Sequence, residues 1–116
     1  MDYQNATVLE YVEFQCLSDI PDHQVLDALD ETLAILDETE GFVYRHIAKR
    51  NDIWVELVFW NDRDSANTGL EKFNHDARSQ KLLAMIDRDS VSIRYSNLQQ
   101  STPNPGKPHS LTEQQQ

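Results

Sequence analysis

A carboxylate between two tryptophans is the feature of this sequence best suited to chemistry: Glu56 lies two residues after Trp54 and four before Trp60. In a β-strand these three side chains would share one face, because successive residues point to opposite sides. Enclosure of that face would raise the pKa of Glu56 and make it a candidate general base. The alternative is a structural ion pair that joins Glu56 to Arg45 or Arg94 across the sheet.

A histidine on a neighbouring strand is the second candidate base. His46 alternates in phase with Tyr44, and imidazole is the side chain that exchanges protons most readily near neutral pH. The alternative is a hydrogen-bonded core or interface residue. Aromatic and arginine side chains could bind an aromatic ligand and stabilise an oxyanion, or the rings could simply fill a subunit interface. The candidate binding residues are Tyr11, Tyr44, Trp54, Trp60, Arg45 and Arg94.

Other reactive arrangements are missing from the sequence. Cys16 is the single cysteine, so neither an internal disulfide nor a cysteine-based metal site can form. No histidines are spaced for a metal on one helix face, and the three glycines are too far apart for a phosphate-binding loop. We therefore predict no cofactor and no metal.

The charge balance restricts the partners. Twenty Asp and Glu against ten Lys and Arg give a net charge of −10, which disfavours nucleic acid and anionic membranes. The first residues lack the basic and apolar blocks of a signal peptide, and no apolar run approaches the ~20 residues that a membrane span needs. The sequence predicts a cytoplasmic protein without membrane or nucleic-acid partners.

The hydrophobic periodicity changes along the chain between values typical of strands and of helices. The order is β-α-β-β-α-β with a break in the second helical region, which predicts a ferredoxin-like α+β fold with a four-stranded antiparallel sheet and helices on one face. Residues 1–100 form this domain. Residues 101–116, with three prolines and a terminal glutamine run, are predicted to be a flexible tail.

The strand that carries Glu56 is apolar on both faces. We expect its Ile53, Val55, Leu57 and Phe59 face to hold the helices. The face with Glu56 would then meet either a partner subunit or a ligand. An uncovered apolar sheet face is unusual in a monomer, so we predict a homodimer that packs sheet on sheet.

Several short motifs of this chain resemble the dimeric α/β-barrel proteins related to the antibiotic biosynthesis monooxygenases. The resemblance runs from about residue 6 to residue 98 and rests on Gly41-Phe42-Val43-Tyr44-Arg45, Trp54-Val55-Glu56-Leu57-Val58-Phe59-Trp60, Asp64-Ser65-Ala66 and Ile86-Asp87-Arg88-Asp89-Ser90-Val91. It implies two sheets that enclose a barrel in a dimer, with small molecules bound in the barrel or between sheet and helices.

The activities implied by this resemblance differ among family members. Some are cofactor-independent oxygenases of polycyclic aromatic substrates, others bind or degrade haem, and fold alone does not choose among them. His75 lies in the region of the haem-degrading motif, but its neighbours do not reproduce that motif. Two hypotheses remain: a small-molecule-binding, monooxygenase-like enzyme acting on an aromatic substrate, and a non-enzymatic module that binds a metabolite or a protein.

Overall fold

Residues 5–102, described by a computed structural model, alternate strands and helices in the predicted order. Of the predicted tail, only residues 101 and 102 are among the described residues. The elements are β1 (Val8–Cys16), α1 (Asp22–Asp37), β2 (Phe42–Arg50), β3 (Ile53–Trp60), α2 (Arg63–His75), a 3₁₀ turn (Ala77–Ser79), α3 (Gln80–Met85) and β4 (Ile86–Asn97).

The four strands form one antiparallel sheet in the order β2-β3-β1-β4. The predicted ferredoxin-like α+β fold is confirmed. β2 and β3 are joined by a tight turn in which Asn51 adopts a φ of 56°, a conformation that asparagine tolerates better than most residues. At the other end of β3, the Asp62 carboxylate accepts a hydrogen bond from the Ser65 amide and so caps α2.

The prediction of which sheet face holds the helices is wrong. Trp54 and Trp60 are buried in the core with the helices, whereas Leu57 lies on the opposite face. Trp54 clusters with residues of α1, among them Val25 and Leu29. Two indoles remove more apolar area from water than aliphatic side chains do, which favours placing them under the helices.

A glycine on α2 allows the helix to approach the indole of Trp60. A Cβ atom at position 69 would collide with Cη2 of that ring, and Trp60 is itself only 1% exposed. Ala66, one turn earlier on α2, belongs to the same buried cluster as Trp60. Small residues on this side of α2 therefore set how closely helix and sheet pack at one end of the core.

Candidate functional site

A cavity of about 540 Å³ lies between the sheet and the helices, with walls from β1, β3, β4 and all three α-helices. Its walls are mainly apolar, and they include Phe14, Ile35, Val58, Leu70, Phe73 and Leu82. This volume is in the range of sites that bind small organic molecules. Exposed lining residues mark the mouth, namely Asn74, Gln80, Arg88, Val91 and Ile93.

The carboxyl group of Glu10 lies at the floor of this cavity, on the central strand β1. Only 7% of the residue is exposed, and its Oε1 atom accepts a hydrogen bond of 2.8 Å from Nε1 of Trp60. Burial raises the pKa of Glu10 to about 7, with a smaller contribution from the negative charge of Glu56, although the Trp60 hydrogen bond acts in the opposite direction. Glu10 therefore changes its charge near neutral pH.

The neighbour of Glu10 on β4 is Tyr95, its direct partner in the strand register. Burial and, to a lesser degree, the charge of Glu10 raise the pKa of Tyr95. Within residues 5–102, the buried Tyr95 hydroxyl makes no hydrogen bond of good geometry, although it lies close enough to Glu10 for each group to shift the pKa of the other. The guanidinium of Arg63 stacks on the Tyr95 ring, 3.7 Å from its centroid.

A second acid, Glu56, occupies the cavity floor on β3 and is held by Arg45. Nη1 of Arg45 lies 3.5 Å from Oε2 of Glu56, and the two side chains are 6% and 18% exposed. The same guanidinium donates to Oγ1 of Thr32 at 3.0 Å and to the carbonyl of Leu29 at 3.3 Å. Burial raises the pKa of Glu56 while Arg45 opposes that rise. Glu56 is therefore in an ion pair with Arg45, which is the alternative to a free general base that the sequence left open.

Strand register brings the two acids together. Val12 of β1 pairs with Glu56 and Glu10 pairs with Val58, so the two glutamates are diagonal neighbours on one face of the sheet. Diagonal pairs across antiparallel strands are within reach of long side chains. The cavity floor thus carries one carboxylate, Glu56, with a cationic partner and one, Glu10, that accepts a hydrogen bond from an indole.

The sheet separates the predicted site residues into two groups. Trp60 and Glu56 line the cavity, Arg45 supports Glu56 from β2, and Trp54 is buried beside Phe14 on the same face. The remaining four lie on the opposite face. Their register partners show this, because Tyr11 and His46 both pair with Leu57, Tyr44 pairs with Phe59, and Arg94 pairs with Tyr11.

The second group therefore cannot act on a ligand in this cavity. The ring of His46 contacts those of Tyr44 and Phe59, with centroids 4.6 and 6.0 Å apart, and Arg94 lies 5.3 Å from the ring centroid of Tyr11. A pocket that contains both Glu56 and His46 is excluded by the sheet between them. These contacts are typical of a packed aromatic surface rather than of an acid–base site.

Glu10 is the site residue that the sequence analysis missed. The signal was present, because Glu10 alternates in phase with Val8, Val12 and Phe14, three apolar residues. A carboxylate in an otherwise apolar strand face indicates either an edge exposed to water or a buried functional group. β1 is a central strand, so Glu10 is a buried acid and a candidate functional group.

Between residues 5 and 102, no three His, Cys, Asp or Glu side chains are grouped so that they could hold a metal ion. Over the same residues, no helix combines the length and the apolar character required to cross a membrane.

Solved structures confirm the resemblance to the monooxygenase-like dimeric ferredoxin-like proteins at the level of the fold. An alanine variant of SnoaB, a cofactor-independent oxygenase from Streptomyces nogalater, matches with a TM-score of 0.68 and 16% identity over 85% of this chain and 99% of its own. The monooxygenase ActVA-Orf6 of Streptomyces coelicolor, in complex with nanaomycin D, matches with a TM-score of 0.62 and 10% identity over 86% and 94%.

A third match is described as a dimeric ferredoxin-like protein from an uncultured marine organism. Its TM-score is 0.63 with 12% identity, over 89% of this chain and 96% of that one. No family model and no curated protein sequence matches the chain. At these identities the structural matches establish the fold, and the chemistry has to be argued from the site itself.

Proposed function

We propose that this protein binds a small aromatic molecule in the cavity between sheet and helices and catalyses its oxygenation in the manner of a cofactor-independent monooxygenase. The observation that carries the proposal is an apolar cavity with the Glu10 carboxyl at its floor. The oxygenase and monooxygenase descriptions of the SnoaB and ActVA-Orf6 structures support the same reaction class.

Glu10 is the general base in this proposal. Its pKa of about 7 suits proton transfer at neutral pH, and the hydrogen bond from Trp60 restricts where its carboxylate can lie. It would accept the proton of an acidic C–H or O–H group, which leaves an electron-rich ring that reacts with dioxygen. One oxygen atom enters the product, and the substrate's own electrons reduce the other to water. Arg45 already neutralises Glu56, so Glu56 is less suited to this step.

Binding of a metabolite without turnover is the second candidate function. The cavity walls are mostly apolar and would bind a ring system by burial alone, whether or not Glu10 removes a proton. The two functions predict the same ligand-binding site, but only the first predicts that oxygen consumption depends on Glu10.

Blocking the cavity mouth tests both candidates. Val91 lines the cavity and is 40% exposed, so Val91→Trp should fill the mouth while leaving the core intact. With 1,8-dihydroxyanthrone as the probe, we expect this variant to lose at least about tenfold in binding and in oxygen uptake. Leu26→Trp is the matched control, because Leu26 is 43% exposed on α1 and does not line the cavity.

Glu10→Gln separates the enzyme from the binding protein in the same assay. Loss of a general base is expected to lower kcat by about 10² or more with little change in probe affinity. Glu13→Gln, on the same strand but on the opposite face, should retain wild-type turnover. Binding without oxygen uptake above the enzyme-free rate would favour the second candidate.

We also propose that the protein is a homodimer joined through the second face of the sheet. Among residues 5–102, the helices all pack on the face that contains Trp54 and Trp60. The other face carries half-buried Leu9, Tyr11 and Leu57, and it would bury apolar surface against a second copy. The dimeric description of the marine ferredoxin-like protein supports this proposal.

Native mass spectrometry at micromolar concentration should give twice the monomer mass. We expect Leu57→Lys to shift the protein toward monomer, since a buried unpaired ammonium at a two-fold interface is strongly unfavourable. Leu26→Lys, at an exposed position of α1, should leave the mass unchanged. A wild-type spectrum that contains monomer alone would contradict the proposal.

A further inference from the structure

We infer, on the basis of the proposed function, that the cavity accepts aromatic ligands that carry hydrogen-bond donors and no negative charge, and that Glu10 is the residue that discriminates against carboxylated aromatics. The inference concerns the chemical class of the ligand rather than the reaction. It rests on which charged groups reach the cavity and on how each of them is already paired.

The charges at the cavity floor and mouth have opposite signs. Glu10 and Glu56 are the acids that line the cavity, and Arg88, which is exposed at the mouth, is the base that lines it among the described residues. Arg45 reaches the floor from β2 but is occupied by Glu56, Thr32 and the Leu29 carbonyl. With Glu10 ionised, the Glu56–Arg45 pair and the nearby Arg63 together leave no excess positive charge at the inner end of the cavity.

The polar and charged groups around Glu10 come from three elements that pack against it. β3 contributes Glu56 and the indole N–H of Trp60, β4 contributes Tyr95, and α2 contributes Arg63. Arg63 is the remaining cation, and its guanidinium stacks on the Tyr95 ring. An ionised Glu10 accepts a hydrogen bond from Trp60 and has the Tyr95 hydroxyl beside it, and the remaining lone pairs of its carboxylate can accept a further hydrogen bond from a ligand.

The polar end of a ligand fits this arrangement only if it donates a hydrogen bond to the Glu10 carboxylate. A phenolic hydroxyl can donate to Glu10, and a protonated amine can both donate and supply the counter-charge that the buried acid lacks. A ligand carboxylate would place a third negative group beside two acids. Among the described residues, the cations nearest the floor are Arg45, which is paired with Glu56, and Arg63, which is stacked on Tyr95. Like charges in such a setting oppose binding strongly.

Three naphthalene probes of nearly equal size test the inference by calorimetry at pH 8: 2-naphthol, 2-naphthylmethylamine and 2-naphthoate. We expect the first two to bind and 2-naphthoate to bind at least about tenfold more weakly than the amine. In Glu10→Gln, the Kd of the amine should rise about tenfold while that of 2-naphthoate falls, which narrows the difference. Glu13→Gln on the opposite face should keep the wild-type order.

The outcomes separate this inference from the proposed function. If 2-naphthoate binds as tightly as the other probes, the discrimination by Glu10 is refuted while an aromatic-binding cavity stands. If none of the probes binds, or if binding persists in Val91→Trp, the cavity is not the aromatic site and both proposals fail. An unchanged order in Glu10→Gln would likewise assign the selectivity to another group.

Discussion

Arg45→Met is expected to lower the free energy of unfolding by about 3–5 kcal/mol at pH 8. The substitution leaves the carboxylate of Glu56 at the cavity floor without its cation, and it also removes the hydrogen bonds from Arg45 to Thr32 and to the Leu29 carbonyl. Methionine keeps the apolar stem of the arginine, so the loss of stability reflects the missing charge rather than poorer packing. Urea denaturation with a two-state analysis gives the difference directly.

The pH dependence of this effect has a defined sign. Burial raises the pKa of Glu56 and Arg45 opposes the rise, so the Glu56 pKa in Arg45→Met should lie still higher. An acid whose pKa is raised by folding costs stability as pH increases through that range, and the cost disappears when the acid is protonated. The destabilisation of Arg45→Met should therefore be smaller at pH 5 than at pH 8.

Two controls show whether an unpaired charge is the cause. Adding Glu56→Gln to Arg45→Met removes the buried charge and should restore most of the lost stability. Lys81→Met removes an exposed cation from α3, away from the cavity and from the second face of the sheet, and should leave the stability nearly unchanged. A loss below about 1 kcal/mol in Arg45→Met would mean that water in the cavity solvates Glu56 adequately.

Glu10→Gln is expected to raise the free energy of unfolding by about 3 kcal/mol at pH 8. The pKa of Glu10 is about 7 in the folded chain against 4.5 for the ordinary side chain, and each unit of difference corresponds to about 1.4 kcal/mol. Because folding raises this pKa, Glu10 contributes favourably to the free energy of unfolding below pH 4.5, and this contribution is lost as the pH rises to 7. The neutral amide avoids that loss.

Denaturation at a series of pH values tests the Glu10 prediction. The gain from Glu10→Gln should be absent near pH 4, grow between pH 4.5 and 7, and stay constant above that. Carboxylates whose pKa is lowered, such as Glu38 and Asp76 beside Arg78, titrate below this window and do not interfere. Glu13→Gln should show no comparable gain at pH 8, since the pKa of Glu13 is lowered rather than raised.

A stabilising substitution at Glu10 would also bear on function. Proteins rarely retain a buried acid that reduces stability at neutral pH unless the acid has a role, and such trade-offs are concentrated at active sites. If Glu10→Gln gains stability and loses oxygen uptake together, the same desolvation accounts for both results. A gain in stability with unchanged turnover would separate Glu10 from the chemistry.

Local sequence signals predicted the elements of this fold. The Asp62 cap and the turn residue Asn51 each act through neighbours a few positions away, so the chain's own chemistry places them. Gly41, with a φ of 94°, lies in the turn between α1 and β2, four residues after the helix ends at Asp37. The strand and helix order then restricts the topology to a ferredoxin-like arrangement, which the structure confirms.

Which face of the sheet meets the helices was decided by the tertiary structure. A period of two assigns Trp54 and Leu57 to different faces but does not say which face is covered, because both faces of β3 are apolar. The small residues of α1 and α2, such as Ala28 and Gly69, made room for the indoles on one side. This packing places His46 and Glu56 on opposite faces of the sheet.

The candidate site depends on strand register, which no local signal specifies. Glu10 and Glu56 are 46 positions apart in the chain and become neighbours only because Val12 pairs with Glu56 across β1 and β3. The sequence by itself determined that a carboxylate stands between two tryptophans on a strand. Only the packed sheet determined that this carboxylate is neutralised by Arg45 and that Glu10, desolvated beside Trp60, is the acid poised to titrate near pH 7, because desolvation and pairing are properties of contacts between distant residues.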